Sequence, residues 1–313
     1  MKSEFWPYSV NPYDIFLMLN KNPRITKTLM ARKFRVTNKT AAQWLDAALE
    51  KKVLLLPEFR RKAFLNFREY FYYLNVKDPH HQYEKFIAQE KTLKNDILHF
   101  SVHTGFCNFQ IVSNKKIDTP GKIVHAADRS DYLISTPKDI EFEESLNIIK
   151  RKLSSLKDLE LNPSPLVYHD VSYTPWSESF EKIYTEFSEN VRKPFKEVLE
   201  NTGAKRDEIL EWIRNKDTFG HTILMYFPKG LSAYQPTLYC VETEHDSLLI
   251  DIFSWLPVPT VFCRVGKKLM MKVYLQNNSL EGKYIVFKVM SELRKKELVK
   301  NYTNSVIQYY YRF

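Results

Sequence analysis

The chain has little glycine and little cysteine. Only seven of its 313 residues are glycine, and they are scattered, which argues against the Gly-rich phosphate loops of common nucleotide-binding folds. Its three cysteines, Cys107, Cys240 and Cys263, are widely spaced, so neither a disulfide framework nor a paired-cysteine zinc site is expected. The G-x-S-x-G and H-E-x-x-H patterns of hydrolases and zinc proteases are also absent. We therefore expect no metal and no cofactor.

The sequence also lacks a long hydrophobic run. Its most apolar stretch, residues 248–262, is interrupted by Asp251, Pro257 and Pro259 and is too short to span a bilayer. The first seven residues lack the apolar core of a signal peptide. Together with the unpaired cysteines, these features predict a cytoplasmic protein with no membrane partner.

What is present is apolar side chain and positive charge. Hydrophobic residues make up 44% of the chain and aromatic residues 14%, enough to form several buried cores at this length. The net charge is +10, and it is concentrated near the N-terminus. Residues 21–62 contain twelve basic and three acidic residues, whereas residues 189–230 contain eight and seven. A basic cluster of this kind favours a polyanionic partner.

The chain resembles itself at an offset of 168 residues. Without a gap, the apolar spacing of residues 15–45 recurs in residues 183–213, with Arg24 aligned on Arg192 and Trp44 on Trp212. Core packing explains the two tryptophans more simply than contact with a base does. The repeat predicts that each half of the chain contains the same succession of elements.

In the first half, the apolar periodicity predicts helices at 13–19, 27–34 and 37–51, with Thr26 and Thr37 as N-caps. Strands at 53–56 and 63–67, joined by a turn at 57–62, complete the order of a winged helix-turn-helix. A β-α-β-β-α-β pattern follows, with strands at 70–76, 97–102, 106–112 and 166–171, helices at 80–91 and 142–156, and an inserted hairpin between 117 and 141.

The second half repeats this order, with helices near 180–190, 193–201 and 205–215 and a ribbon at 221–227. The predicted fold class is therefore α+β, with two winged helix-turn-helix domains alternating with two ferredoxin-like domains. The expected boundaries are 1–67 and 174–233 for the helical domains, and 68–173 and 234–313 for the ferredoxin-like domains.

This order of elements resembles the Lrp/AsnC (feast/famine) family of transcription regulators, here in an apparently tandem form. The resemblance lies in segments such as 72–78 (YYLNVKD) and 102–106 (VHTGF) and extends over most of the chain. It implies DNA binding by the first domain, dimerisation through the ferredoxin-like sheet, and sensing of a small-molecule effector near a hairpin. That hairpin corresponds here to His103, Gly105, Gly266 and Lys267.

The third helix would be the recognition helix of a DNA-binding domain. Short polar side chains opposite its apolar face are the candidates for base contact in double-stranded DNA: Asn38, Lys39, Thr40 and Gln43. Basic residues around the turn and the wing are the candidates for phosphate contact: Lys27, Arg32, Lys33, Arg35, Arg60, Arg61 and Lys62. The second copy carries Asp207, Glu208 and Glu211 on its third helix, so we expect it to serve dimerisation or packing.

The sequence favours a DNA-binding transcription regulator that is a homodimer and not an enzyme. Two alternatives remain. Siroheme decarboxylases resemble the same layout and act on a tetrapyrrole, for which Tyr239, His245 and Arg264 would be the residues to converge. A protein-interaction scaffold that binds no DNA is the other alternative. Whether the two halves pair within one chain or between chains is left open.

Overall fold

The computed structural model describes residues 5–155, 162–277 and 279–312. Within these residues the helices are α1 (Pro12–Lys21), α2 (Lys27–Phe34), α3 (Asn38–Glu50), α4 (Pro79–Ala88), α5 (Glu90–Leu93), α6 (Phe142–Ser154), α7 (Glu178–Phe187), α8 (Phe195–Thr202), α9 (Arg206–Phe219), α10 (Asp246–Phe253) and α11 (Leu280–Lys295). The strands are β1 (Glu58–Arg61), β2 (Tyr70–Asn75), β3 (Ile97–Gly105), β4 (Phe109–Ser113), β5 (Lys122–Asp128), β6 (Leu133–Ile134), β7 (Gly220–Ile223), β8 (Tyr234–Glu242), β9 (Val261–Val265), β10 (Lys268–Gln276) and β11 (Asn301–Arg312). The predicted α+β class is confirmed.

Each half begins with a three-helix unit, α1–α3 and α7–α9. The predicted caps are present, because the hydroxyl of Thr26 accepts a hydrogen bond from Leu29 N and that of Thr37 accepts one from Thr40 N. Trp44 packs edge-on against Phe34, and Trp212 is fully buried. The two tryptophans are therefore core residues, as the repeat predicted.

The ribbons that follow the helices differ from the predicted wings. The segment 57–62, predicted as a turn, contains strand β1, which pairs antiparallel with β7 of the other half instead of forming a hairpin of its own. Phe59 provides the physical reason. Its side chain is fully buried against Trp212, with ring centroids 4.8 Å apart, and against Phe219 at 5.6 Å. The free energy gained by burying this ring under the second unit outweighs that of forming a local turn.

The two helical units bind each other by a reciprocal exchange of arginines. The Arg24 guanidinium donates to the carbonyls of Val191 and Lys193, and that of Arg192 donates to the carbonyls of Pro23 (2.6 Å) and Ile25 (3.1 Å). These pairs are related by the 168-residue offset. The exchange has the form of an isologous dimer contact, so the two halves pair within one chain.

The remaining strands form one sheet in the order β5-β2-β4-β3-β11-β8-β10-β9-β6. Within each half, four strands numbered in chain order follow the ferredoxin-like arrangement 4-1-3-2. These are β5-β2-β4-β3 in the first half and β11-β8-β10-β9 in the second. In the first half the fourth position is taken by β5, which was predicted as part of an inserted hairpin. The segment 166–171, predicted as the closing strand, forms no strand.

The sheet curls until its two halves meet twice. At one seam β3 pairs with β11. At the other, β5 reaches β9, where Gly266 N donates to Asp128 O (3.0 Å) and Ser130 N to Arg264 O (2.9 Å). At both seams the second strand of one half meets the fourth strand of the other. The result is a barrel of eight strands with a small interior.

Helices cover the outside of this barrel. α4 packs on the strands of the first half through Phe86, and α10 and α11 pack on those of the second half. α6 joins the second group, where Leu146 and Ile149 are buried. The predicted end of this helix at Leu156 lies outside the described residues. The two-stranded β1–β7 sheet lies over the barrel, and residues of both line a common cavity.

Candidate active site

A cavity of about 340 Å³ lies between the β1–β7 sheet and the interior of the barrel. Residues two apart on a strand point to the same face, which explains why His99 and Ser101 of β3, and Met270, Lys272 and Tyr274 of β10, all line it. Tyr310, also in the lining, is 47% exposed and marks the side on which the cavity meets solvent. Both halves of the chain therefore contribute to one chamber.

The roof of the cavity carries a buried cation, Arg60. Its side chain, 11% exposed, pairs with Glu58 at 3.0 Å, and the same carboxylate oxygen accepts from Arg312 at 3.1 Å. Burial alone would lower the pKa of Arg60, but Glu58 and the neighbouring tyrosines together outweigh burial and leave that pKa above its ordinary value. Arg60 therefore stays charged, and its counterion Glu58 is shared with a second arginine.

Lys272 adds a second cation inside the barrel. Its ammonium lies 5.5 Å from the ring centre of Tyr274 and 5.6 Å from that of Tyr310. Burial lowers the pKa of Lys272, but the two phenols more than offset this and the net pKa is raised. Glu58 is the one acid among the described residues that line the cavity, so the chamber has a surplus of positive charge.

His99 lies among these cations. Burial lowers its pKa well below the usual range, and Arg60, Lys272 and Arg312 lower it further. The imidazole packs between Tyr310, with ring centroids 5.2 Å apart, and Phe71 at 6.2 Å. His99 is therefore neutral beside these cations, and an anion bound next to it would raise its pKa.

Two buried phenols complete the polar lining. Burial raises the pKa of Tyr73 and that of Tyr132 well above the ordinary value for tyrosine. Arg129, fully buried behind the wall, lies 4.2 Å above the ring of Tyr132 and pairs with Glu69 at 2.7 Å. Both phenols stay protonated and can donate hydrogen bonds to an anion.

Three of the four base-contact candidates are exposed, but none lies near this cavity. Asn38, Lys39 and Gln43 project from α3 into solvent, while Thr40 is half-buried and bonded to Thr37. Lys27, Arg32, Lys33 and Arg35 are also exposed, and Lys27 pairs with Asp46. These residues all belong to the first helical unit, and their contact with DNA stays a prediction.

The predicted position of Arg60, Arg61 and Lys62 at a wing tip is wrong, because the pairing of β1 with β7 buries this segment. Arg61 is 7% exposed and donates to Glu181 at 2.7 Å. Lys62 donates to the carbonyl of Asp217 at 2.8 Å. Arg60 faces the cavity.

The four effector-hairpin candidates are not brought together. His103 is buried inside the barrel, and Gly105 packs closely on β11 at the first seam. Gly266 and the exposed Lys267 form the turn between β9 and β10 at the second seam. Of the tetrapyrrole candidates, Arg264 binds Asp246 at 2.6 Å and the carbonyl of Thr243, close in sequence to His245. Tyr239 instead packs into the core under the helices.

Sequence reasoning missed His99, Lys272 and the role of Arg60 in the cavity. A signal was present in β3, where His99, Ser101 and His103 alternate with apolar residues and so mark a polar inner face. For Arg60 no local signal exists, because its position depends on a partner strand far along the chain.

Neither a membrane-spanning helix nor a metal-ligand cluster is found in the described part of the chain. No helix there is long and apolar enough to cross a membrane. Within residues 5–155, 162–277 and 279–312, no three or more His, Cys, Asp or Glu side chains are grouped as metal ligands.

Among solved structures, the chain is similar to the siroheme decarboxylase NirDL, with 13% sequence identity and a TM-score of 0.51 over 96% of this chain and 92% of that chain. A crystal structure of NirDL in complex with an iron-uroporphyrin III analogue matches over the same shares with a TM-score of 0.48. No protein-family model and no curated protein matches the sequence. At this identity the likeness shows a shared fold.

This finding corrects the expectation that the chain is not an enzyme, because a solved protein with a similar fold over 96% of this chain is a siroheme decarboxylase. No match to a transcription regulator was found. The layout of Lrp/AsnC proteins is used by both classes, so the order of elements alone did not distinguish them.

Proposed function

We propose that this chain is a decarboxylase that acts on a large polycarboxylated substrate of the siroheme type in the barrel cavity. The observation that carries the proposal is the surplus of buried positive charge, Arg60 and Lys272 against a shared Glu58. Cations removed from water are stabilised by an anionic partner, and substrate carboxylates would supply it. The shared fold with a siroheme decarboxylase suggests the substrate class.

Binding falls to Arg60 and Lys272. The planar guanidinium of Arg60 suits bidentate pairing with a carboxylate, and Lys272 faces the same space from the barrel floor. A volume of about 340 Å³ lies at the lower end of ligand pockets, roughly 300–1,000 Å³. The carboxylate substituent of the substrate that reacts would therefore enter the cavity, while much of the substrate's macrocycle lies at the mouth of the cavity beside Tyr310.

His99 supplies the proton. Loss of carbon dioxide breaks a carbon–carbon bond and leaves the electron pair on carbon, which must take up one proton. His99 is neutral among the cations of the cavity, but a bound carboxylate beside it adds negative charge and raises its pKa. With its pKa raised, His99 takes up a proton from solvent, delivers it to the carbon that retains the electron pair, and is reprotonated from solvent for the next turnover.

The test is turnover of siroheme by the purified chain without oxygen, followed by the visible spectrum and by product mass. We expect loss of carbon dioxide by the wild type. His99→Asn should lower kcat by roughly 10²–10⁴-fold, with little change in KM. Lys272→Met should raise KM by about 10–100-fold, because a hydrogen bond to a charged group is lost.

Matched controls make the changes specific. His81→Asn and Lys283→Met alter exposed residues of the same types outside the cavity and should leave turnover unchanged. Wild-type protein that binds siroheme without turning it over, or a His99→Asn variant with full kcat, would refute the proposed reaction.

A second candidate function, DNA binding by the first helical unit, is favoured by one observation. Arg32, Lys33, Arg35 and Lys39 are exposed, and no ion pair neutralises them within the described residues. Such a surface suits phosphate contact. Binding of mixed-sequence duplex DNA should fall steeply with salt, and the triple change of Arg32, Lys33 and Arg35 to alanine should flatten that dependence. Binding that depends neither on salt nor on these three changes would contradict DNA binding by this surface.

A further inference from the structure

A chain of hydrogen bonds runs through the barrel wall behind the cavity. Ser101 Oγ donates to Gln110 Oε1 at 3.1 Å, and Ser101 Oγ lies 2.7 Å from His103 Nε2. The other imidazole nitrogen, Nδ1, is 3.0 Å from Ser305 Oγ. All four side chains are at least nine-tenths buried, so bulk water does not compete for these bonds.

The single hydrogen of each hydroxyl fixes the direction of this chain. Because Ser101 gives its hydrogen to Gln110, its oxygen must accept one from His103, which therefore carries its proton on Nε2. Nδ1 is then an acceptor, and Ser305 donates to it. Ser305 in turn lies 3.8 Å from the thiol of Cys107, whose pKa burial raises to about 12, so that this thiol keeps its hydrogen.

The series of hydrogen bonds ends at the side-chain amide of Gln110. With its oxygen committed to Ser101, the nitrogen and its two hydrogens remain. No hydrogen bond from this nitrogen is present within the described residues, and Gln110 lines the cavity. Gln110 is also the cross-strand partner of both Tyr73 and Ser101, which keeps its Cα in register with the inner face of the barrel.

We propose that Gln110 is a specificity-determining residue that donates a hydrogen bond to a carboxylate or carbonyl oxygen of the ligand in the cavity, and that Ser101, His103 and Ser305 are positioning residues that prevent its amide from turning over. The proposal rests on the function proposed above and adds a recognition group on the wall of the chamber. A turned amide would present its oxygen to the ligand carboxylate and repel it.

Binding of siroheme to the full chain, measured by absorbance titration, tests the donor. Gln110→Met, close in shape but without a donor, should weaken binding by about 10–100-fold. Gln110→Glu should weaken it at least as much, because an acceptor replaces the donor. KM should rise while kcat stays near the wild-type value, which separates recognition from a general loss of structure.

The positioning residues are tested by a conservative pair. His103→Gln retains an N–H donor toward Ser101 and should bind siroheme within about threefold of the wild type, whereas His103→Leu should bind more weakly than that. Thermal unfolding of each variant checks that it is folded. In the wild type, the ¹⁵N chemical shifts of His103 should show a proton on Nε2 and none on Nδ1, a result that needs no variant.

The outcomes separate this inference from the proposed function. Siroheme binding that is unchanged in Gln110→Met, or a proton found on Nδ1 of His103, overturns the role of Gln110 and leaves the decarboxylase proposal standing. Binding without turnover overturns the reaction but still ranks the Gln110 variants. A wild-type chain that does not bind siroheme overturns both.

Discussion

Replacing Glu69 by glutamine should destabilise the whole protein strongly, because it breaks a fully buried ion pair. Glu69 is 2% exposed and Arg129 is fully buried, with 2.7 Å between Oε2 and Nε. Arg129 also donates to the carbonyls of Ser130 and Arg61, at 2.9 and 2.8 Å. The pair thus ties β1, which carries Arg60, to the seam where β5 meets β9.

The magnitude follows from what the variant leaves behind. Glutamine keeps the shape of Glu69 but removes the charge that compensates Arg129, and such half-broken buried pairs cost roughly 3–5 kcal/mol. Total stabilities of 5–15 kcal/mol are usual, so the loss is a large share. Glu69 Oε1 has no hydrogen-bond partner within the described residues, so the change removes no second hydrogen bond at that atom.

The effect should depend on pH. Burial raises the pKa of Glu69, but Arg129 outweighs it, and the net pKa lies below the ordinary value. A carboxylate with a depressed pKa stabilises the fold above its unfolded-state pKa, about 4.3, and loses that contribution as pH falls. The difference between wild type and Glu69→Gln should therefore be full at neutral pH and shrink in acid.

Urea unfolding at pH 7 and at pH 4 measures these differences. The exposed pair of Glu178 with Lys182 provides the control, since Glu178→Gln should leave the midpoint unchanged. Arg129→Met should be costly alone, and the double variant should lose less than the sum of the singles, because neither charge is left unpaired. A Glu69→Gln loss below about 1 kcal/mol would refute the reasoning.

Three further predictions concern the barrel and its attachments. Gly105→Ala should destabilise the protein by roughly 1–3 kcal/mol, because φ is +148° and the new Cβ would overlap the backbone of β11. Gly203→Ala, where the space is open, should destabilise it less, and thermal unfolding of both variants measures the difference. Although burial alone would raise it, the hydrogen bonds that Asp131 accepts lower its pKa to about 2. Its carboxylate therefore stabilises the fold above pH about 4 and loses this as pH falls further, so Asp131→Asn should flatten the acid unfolding curve. Arg24→Met and Arg192→Met should each cost roughly 1–3 kcal/mol, because each leaves partly buried carbonyls without their donor. Equal urea midpoints for wild type and variants would contradict the reciprocal exchange.

Local signals gave correct predictions for much of the fold. The threonine caps of α2 and α3 were predicted from neighbouring residues, and the structure confirms them. The wing was wrong because its outcome depends on Phe59, whose partners Trp212 and Phe219 lie more than 150 residues away. No local pattern contains such an interaction.

The candidate site was predictable only in part, for a similar reason. The inward row of β3 can be read from its alternation, but Lys272 reads as an ordinary charged residue between apolar neighbours until the barrel closes around it. Basic charge in residues 21–62 predicted a polyanionic partner. That segment contains both exposed basic residues and the buried Arg60, and the sequence alone does not distinguish the two.

The reciprocal pairing of the two halves has a consequence for behaviour on dilution. One wall of the cavity comes from the first half and the other from the second, so separate subunits would lose the chamber whenever they dissociated. A covalent connection holds the halves at an effective concentration in the millimolar range for short linkers. The chamber of this protein should thus persist at any protein concentration, and its ligand affinity should be the same in nanomolar and micromolar solutions.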